Sequence, residues 1–427
     1  MTARLEAQII ESHEGRATLE SGHTLWNRVA CALYGVALAA SIAFWFLAFR
    51  APLDTDETGS YWQICAGLSK IWPRQFLLPS SLPYAYILWF WTRIFGASEI
   101  ALRVLSVLAM LGAVYLLYRA AREIFDHETA LLATVLFCVH YDILFASIDV
   151  RPYAFAVLSI NLAILIIIRL RYSNSNWLAA LFGLSAAFIV GFQFLFAVIL
   201  PVLVVCFFVL KVGDRRKAWR QFGVALAVFT LAILPTLPGL LFLFRTRETH
   251  VCDTAPNAGA LIATFVPGWL LPIFVCLALV AFLVSTLSTP RRDSHVRADG
   301  WKILLCLSLA IIPVLILYSV SVGTPIHMYT ERYRLVSIPG IALCWAFILS
   351  RFRPRALRLL FCICLVGLSG FSYLNLPGST QHEASWRHAL EVVETNASTD
   401  NAPVLICGAF IESDFVVMPI ESAKTSP

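Results

Sequence analysis

Apolar residues in this chain come in long runs, with charged residues confined to the joints between them. Residues 29–49 carry no charged side chain, which is about the length needed to cross a bilayer core. Similar runs follow at about 98–119, 129–147, 153–170, 177–191, 194–210, 221–243, 259–286, 301–320, 335–350 and 356–373. With the first, these predict about eleven transmembrane helices. Two shorter stretches behave differently. In 58–70, Tyr61, Ile64, Cys65 and Leu68 recur at helical spacing, and 84–95 is crowded with aromatics. Both are predicted as surface helices that do not span. Pro73, Pro79 and Pro83 break the chain between and before them.

Composition agrees with the pattern. The chain of 427 residues is 59% hydrophobic and 14% charged, with mean hydropathy +0.78; a soluble domain carries about a quarter charged residues. The expected class is an all-α polytopic membrane protein. The net charge of +6 does not form one basic patch, so a nucleic-acid partner is excluded. The basic residues instead fix an expected topology. Arg119 and Arg122, Arg169 and Arg171, Lys211 to Arg220, Arg291 to Lys302, and Arg351 to Arg358 fall on one side with Arg4, Arg16 and Arg28. Residues 1–26 are then a cytoplasmic tail, 27–373 the membrane domain, 50–97 an external loop, and 374–427 an external tail. That tail, with a helix-like and a strand-like stretch, is expected to be a small α/β appendage. Ala37-Leu38-Ala39 has the form of a cleavage site, but the apolar run continues to Phe49, so a retained signal anchor is expected.

Of the 11 cysteines, Cys31, Cys138, Cys206, Cys276, Cys306, Cys344, Cys362 and Cys364 lie in apolar runs, where Cys acts as a small hydrophobe. Cys65, Cys252 and Cys407 fall outside them. No spacing suggests a zinc site or a disulfide framework.

Three polar clusters share the predicted outer face. The first is Asp54, Asp56 and Glu57, three carboxylates within four positions. A solvated loop or an N-cap at Asp56 would account for it. The catalytic alternative uses Asp56 as a general base, with Glu57 orienting the acceptor or holding a cation. The second is the turn Asp149-Val150-Arg151-Pro152-Tyr153. Asp149 and Arg151 form either a local ion pair or, respectively, an acceptor-facing carboxylate and a phosphate-binding fork. The third runs from His327 through Arg332, Tyr333 and Arg334. The arginines are snorkelling anchors or cations for a departing phosphate.

Together these motifs resemble the C-type integral-membrane glycosyltransferases, in particular the glycosyltransferase family 39-like group of protein O-mannosyltransferases and aminoarabinose transferases. An Asp-Glu pair after the first span precedes a surface helix bearing Tyr61. Leu82-Pro83-Tyr84 to Gly96 and Ser98 to Arg103 resemble the second external helix and the next span. Asp149 to Ala154 resembles the acidic-x-Arg-Pro-Tyr-Ala turn, and Arg332-Tyr333 before Pro339-Gly340 resembles the Arg-Tyr-Leu segment. Trp386-Arg387 resembles the entry to the family's external domain. The resemblance covers about residues 27–395. It implies a C-type fold, an inner (plasma) membrane location and an outward active site. It also implies a polyprenyl-phosphate sugar donor. Asp56 would be the base, supported by Glu57 and Asp149. Arg151, Arg332, Tyr333 and Arg334 would bind donor phosphate, and Tyr61, Tyr84, Tyr153 and His327 would line the pocket. No cofactor is required; a divalent cation, with Glu57 as candidate ligand, is allowed. The acceptor stays open among lipid, glycan and protein.

Two departures matter. Where the aminoarabinose transferases carry Glu-Lys-Pro, this chain has Ser80, Ser81, Leu82 and Pro83, so another cation must meet the phosphate. Gln193 stands where many relatives carry His or Tyr. The alternative reading, a lipid or glycan transporter, predicts charges in mid-span and broken helices in two matching halves.

Overall fold

The computed structural model describes residues 28–50, 53–76, 81–245, 255–265, 300–324, 327–351, 355–375 and 395. The predicted tails at 1–26 and beyond 375, and most of the predicted span 259–286, lie outside these, apart from 395 and from residues up to 265. Among the described residues the secondary structure is helical. Seven helices are long and apolar enough to cross a membrane, with one sharply bent pair and two shorter apolar helices besides.

The first span, α1 (Arg28–Trp45), leads through a 3-10 turn to three short helices. These are α2 (Thr55–Cys65), α3 (Leu68–Arg74) and α4 (Leu82–Phe95). None is among the candidate spans, as predicted for 58–70 and 84–95. The single predicted helix over 58–70 is two helices. Gly67, at φ +98°, separates them in a backbone conformation that side-chain-bearing residues avoid. The expected apolar stripe divides as well: Ile64 and Ile71 are buried, while Tyr61, Cys65 and Leu68 are exposed.

The bundle is built on α5 (Glu99–Ile124), α8 (Tyr153–Leu170) and α9 (Asn176–Phe192). The α8 segment is the innermost, packed between the other two. Its Asn161 is fully buried and donates from Nδ2 to the Ala113 carbonyl on α5 at 2.9 Å. Next come α10 (Leu200–Leu210), α11 (Arg215–Ile233), α12 (Leu237–Arg245) and α13 (Ala258–Phe265). The chain closes with α14 (Gly300–Gly323), the short α15 (Glu331–Arg334), α16 (Ile338–Leu349) and α17 (Arg355–Asn375).

One predicted span is not continuous. The run 129–147 divides into α6 (His127–Cys138) and α7 (Tyr141–Ile148), bent by 70°. His140 starts the second helix, its Nδ1 accepting from the Asp142 amide at 3.3 Å. The carbonyls freed at the break find donors. Trp45 Nε1 reaches Cys138 O, and Tyr373 Oη reaches Val139 O, each at 3.4 Å. Helix ends inside an apolar bundle need such partners. The break redirects α7 and sets Asp142 and Asp149 at its two ends.

Close packing sets a sharp test. A Cβ built on Gly183 of α9 would lie 2.0 Å from the Ala225 carbonyl oxygen of α11, whereas one on Gly35 meets nothing within 4 Å. Gly183→Ala therefore forces the helices apart, at about 1–3 kcal/mol. Thermal unfolding of the purified protein should show a lowered midpoint for Gly183→Ala and little change for Gly35→Ala. Equal midpoints would contradict this packing.

Candidate active site

The site begins with a helix cap. Asp54 is the N-cap of α2, and its Oδ1 accepts from the Glu57 amide at 2.7 Å. The Glu57 Oε2 accepts in return from the Asp54 amide at 2.9 Å. This reciprocal box satisfies two amides that the first turn leaves open. The same Oε2 takes Arg103 Nη2 of α5 at 3.2 Å, and Oε1 takes the Val150 amide at 2.9 Å. Glu57 is 3% exposed and Arg103 1%. One carboxylate thus joins α2, α5 and the turn before α8.

That arrangement redefines Glu57. Expected as a support for the base or a cation ligand, it has both oxygens engaged by protein donors. Among the described residues no three His, Cys, Asp or Glu side chains are placed to hold a metal ion. The N-cap is Asp54, not Asp56; the Asp-x-x-Glu spacing was the signal for it.

Asp56 follows the cap on the first turn of α2. Its carboxylate binds Arg332 Nη1 directly, and Arg151 Nη2 lies 3.8 Å from Oδ2. Arg151 also donates from Nη1 to the Asp56 carbonyl at 3.0 Å. Two arginines far away in sequence therefore converge on it. Burial pushes the Asp56 carboxyl up, but the Arg151 and Arg332 charges outweigh burial and hold it below the ordinary carboxylate value.

Asp149 closes α7. Its carbonyl accepts from Ser106 Oγ of α5 at 2.6 Å, while its Oδ1 is buried without a hydrogen-bond partner. Burial, then the Glu57 and Asp54 charges, push its carboxyl well above the ordinary value, against the pull of Arg151 and Arg332. Burial raises Glu57 too, opposed by Arg103 and the Val150 and Asp54 amides. Those three donors favour the ionised form of Glu57, so of the two carboxyls Asp149 is the one pushed further toward its neutral form.

A cavity of about 540 Å³ opens beside the cluster, lined by Glu57, Asp149, Tyr153 and Arg332 among others. Asp56 is not in its lining and joins it through Arg332. Tyr153 is buried at the cavity wall. Tyr84 is buried, its ring edge-on to Phe155 at 5.7 Å, and does not line the cavity. Tyr333 packs against the core, Tyr61 is exposed, and neither lines it. His327 Nδ1 bonds the Ser321 carbonyl at 2.8 Å and also stays outside the lining. Arg334, expected at the phosphate, lies 3.6 Å from both Asp142 Oδ1 and Glu331 Oε1. Its Nη1 also donates to Thr264 Oγ1 at 3.5 Å.

Sequence reasoning left Arg103 and Asp142 without a role. Each is a charge inside a predicted span, and an ionisable residue there is itself the signal.

Residues 80–244 match the family described as dolichyl-phosphate-mannose-protein mannosyltransferase. The match covers less than half of the chain and agrees with the resemblance to C-type integral-membrane glycosyltransferases of the family 39-like group. Two crystal structures of the Archaeoglobus fulgidus oligosaccharyltransferase are similar to the chain. The apo form has 12% identity over 86% of this chain and 58% of that one, at TM-score 0.46. The form tethered by a disulfide to an acceptor peptide with the NVT sequon has 12% identity over 86% and 57%, at TM-score 0.38. The chain spans less than three-fifths of those proteins' length. No curated protein matches it.

Two outcomes test this geometry. Arg103→Met leaves Glu57 buried without its cation, which costs about 3–5 kcal/mol. Adding Glu57→Gln should restore part of that loss in thermal unfolding, since the uncompensated charge is gone; a purely additive double mutant would contradict the pairing. Asp149 contributes oppositely to the usual carboxylate. With its folded value raised, its contribution is greatest below the unfolded value of about 3.9 and is lost as pH rises through the folded value. Asp149→Asn should thus gain in relative midpoint as pH rises from the unfolded value of about 3.9 toward the raised folded value. A relative midpoint that falls with pH would contradict a raised value for Asp149.

Proposed function

We propose that the chain transfers a sugar from a polyprenyl-phosphate donor to an acceptor at the outer face of the inner membrane, with inversion. The observation that carries this reading is Asp56, an ionised carboxylate held between Arg151 and Arg332 beside the cavity. The basic residues at the opposite ends of the spans support an inside N-terminus and an outside C-terminus.

In the ligand-free site the two arginines suppress the basicity of Asp56. A donor phosphodiester carries one negative charge, as a carboxylate does, but offers two free oxygens to the guanidinium fork and gains charge as it departs. It takes Arg332, which is 51% exposed, and shares Arg151. Asp56, released from its partners, becomes the better base. The acceptor attacks the anomeric carbon from the face opposite the phosphate and gives its proton to Asp56. The bond from that carbon to the phosphate oxygen breaks, and its electron pair leaves with the phosphate. Arg151 and Arg332 stabilise the charge that develops there. Protonated Asp149 adds a neutral donor to the same oxygens, and Tyr153 walls the sugar.

Transfer of labelled sugar from a polyprenyl-phosphate pool in membranes tests the roles. Asp56→Asn should insert normally and lose about 10²–10⁴ in rate. Wild-type activity would exclude Asp56 as base. Arg332→Lys keeps the charge but not the fork. It should weaken donor dependence by about 1–3 kcal/mol. Full rescue by Lys of what Arg332→Ala loses would reduce the residue to a point charge.

A further inference from the structure

The cavity has a second polar end, formed by Asp142, Thr330, Glu331 and Arg334, that the donor chemistry does not use. Asp142 lies at the start of α7 with its side chain 4% exposed. Only its Oδ1 meets Arg334; Oδ2 is buried and has no hydrogen-bond partner. Arg334 Nε and Thr330 Oγ1 are likewise buried and unmatched. Buried polar atoms left in this way are costly, and the residues that carry these three all line the cavity. Tyr329 and Phe145 add aromatic surface to the same wall, with the Arg334 guanidinium 6.0 Å from the Tyr329 ring.

The three unmatched atoms define the ligand's chemistry. Asp142 Oδ2 accepts only, Arg334 Nε donates only, and the Thr330 hydroxyl does either. A phosphate would satisfy Arg334 but face repulsion from Asp142 and Glu331. An ammonium would satisfy Asp142 and leave Arg334 unmet. Neighbouring hydroxyls both donate and accept, and so satisfy all three.

We propose that this end of the cavity is the acceptor subsite and takes a polyhydroxylated headgroup, a sugar or polyol. Asp142, Arg334 and Thr330 bind and orient it, and one of its hydroxyls is the nucleophile. The assignment rests on the transfer reading above, with the donor phosphate at Arg151 and Arg332.

Calorimetry on the full chain in lipid nanodiscs tests it with three probes that share one tail: hexyl glucoside, hexylammonium and hexyl phosphate. Hexyl glucoside should bind the wild type, about tenfold more weakly in Asp142→Asn and about threefold more weakly in Thr330→Val. Hexyl phosphate should bind equally to both variants and fail to bind Arg332→Ala. If Asp142→Asn does not fold, Thr330→Val decides the matter alone. Glucoside binding that is absent, or unchanged in the variants that fold, overturns the subsite. Hexylammonium binding that is tighter than the glucoside and lost in Asp142→Asn overturns the hydroxyl class. Glucoside results as expected, with phosphate binding indifferent to Arg332→Ala, would support the subsite and sink the donor reading instead.

Discussion

The Glu57 carboxylate is the constraint on which the site depends. Its three hydrogen-bonded or ionic contacts close the cap of α2, neutralise a guanidinium inside α5, and hold the Val150 amide of the turn that enters α8. A buried ion pair is a weak source of stability, because desolvation offsets much of the attraction. Its value here is geometric. With Glu57 fixed, the next side chain back, Asp56, and the next after Val150, Arg151, have little freedom to separate. Ser106 reinforces this by holding the Asp149 carbonyl to α5.

The cavity next to that knot is polar at both ends. Beside one end Asp56 is matched by two arginines and Asp149 is pushed toward its neutral form; at the other Arg334 is shared by two carboxylates. On the proposed reading, the first end waits for a phosphate and the second for hydroxyls. The order of events follows. Asp56 is a poor base while Arg332 and Arg151 face it, so donor binding precedes acceptor activation. The electrostatics of the site thereby link binding of one substrate to reactivity toward the other.

Much of this was legible in the sequence. The apolar runs gave the helical membrane class, and the aromatic stretches gave the short helices that do not span. Asp56, Arg151 and Arg332 could be singled out because each sits at the end of an apolar run. Their convergence could not be read, since 95 residues separate Asp56 from Arg151 and 276 separate it from Arg332. The burial of Glu57 was not legible because adjacent acids look equivalent in sequence. Only the cap at Asp54 and the charge of Arg103 show that one faces inward. Asp142 was hidden by the run 129–147, whose hydropathy gives no sign of a 70° break. That break depends on carbonyl partners supplied from α1 and α17, which no local pattern reveals.

The central claim is that the donor phosphate and Asp56 compete for the same two guanidiniums. A structure of the full chain with a polyprenyl-phosphate sugar analogue tests this most directly. The account predicts phosphate oxygens within hydrogen-bond distance of Arg332 and Arg151, with Asp56 no longer bonded to Arg332 and turned toward the cavity. A bound analogue whose phosphate lies elsewhere, with the Asp56–Arg332 pair intact, would contradict it.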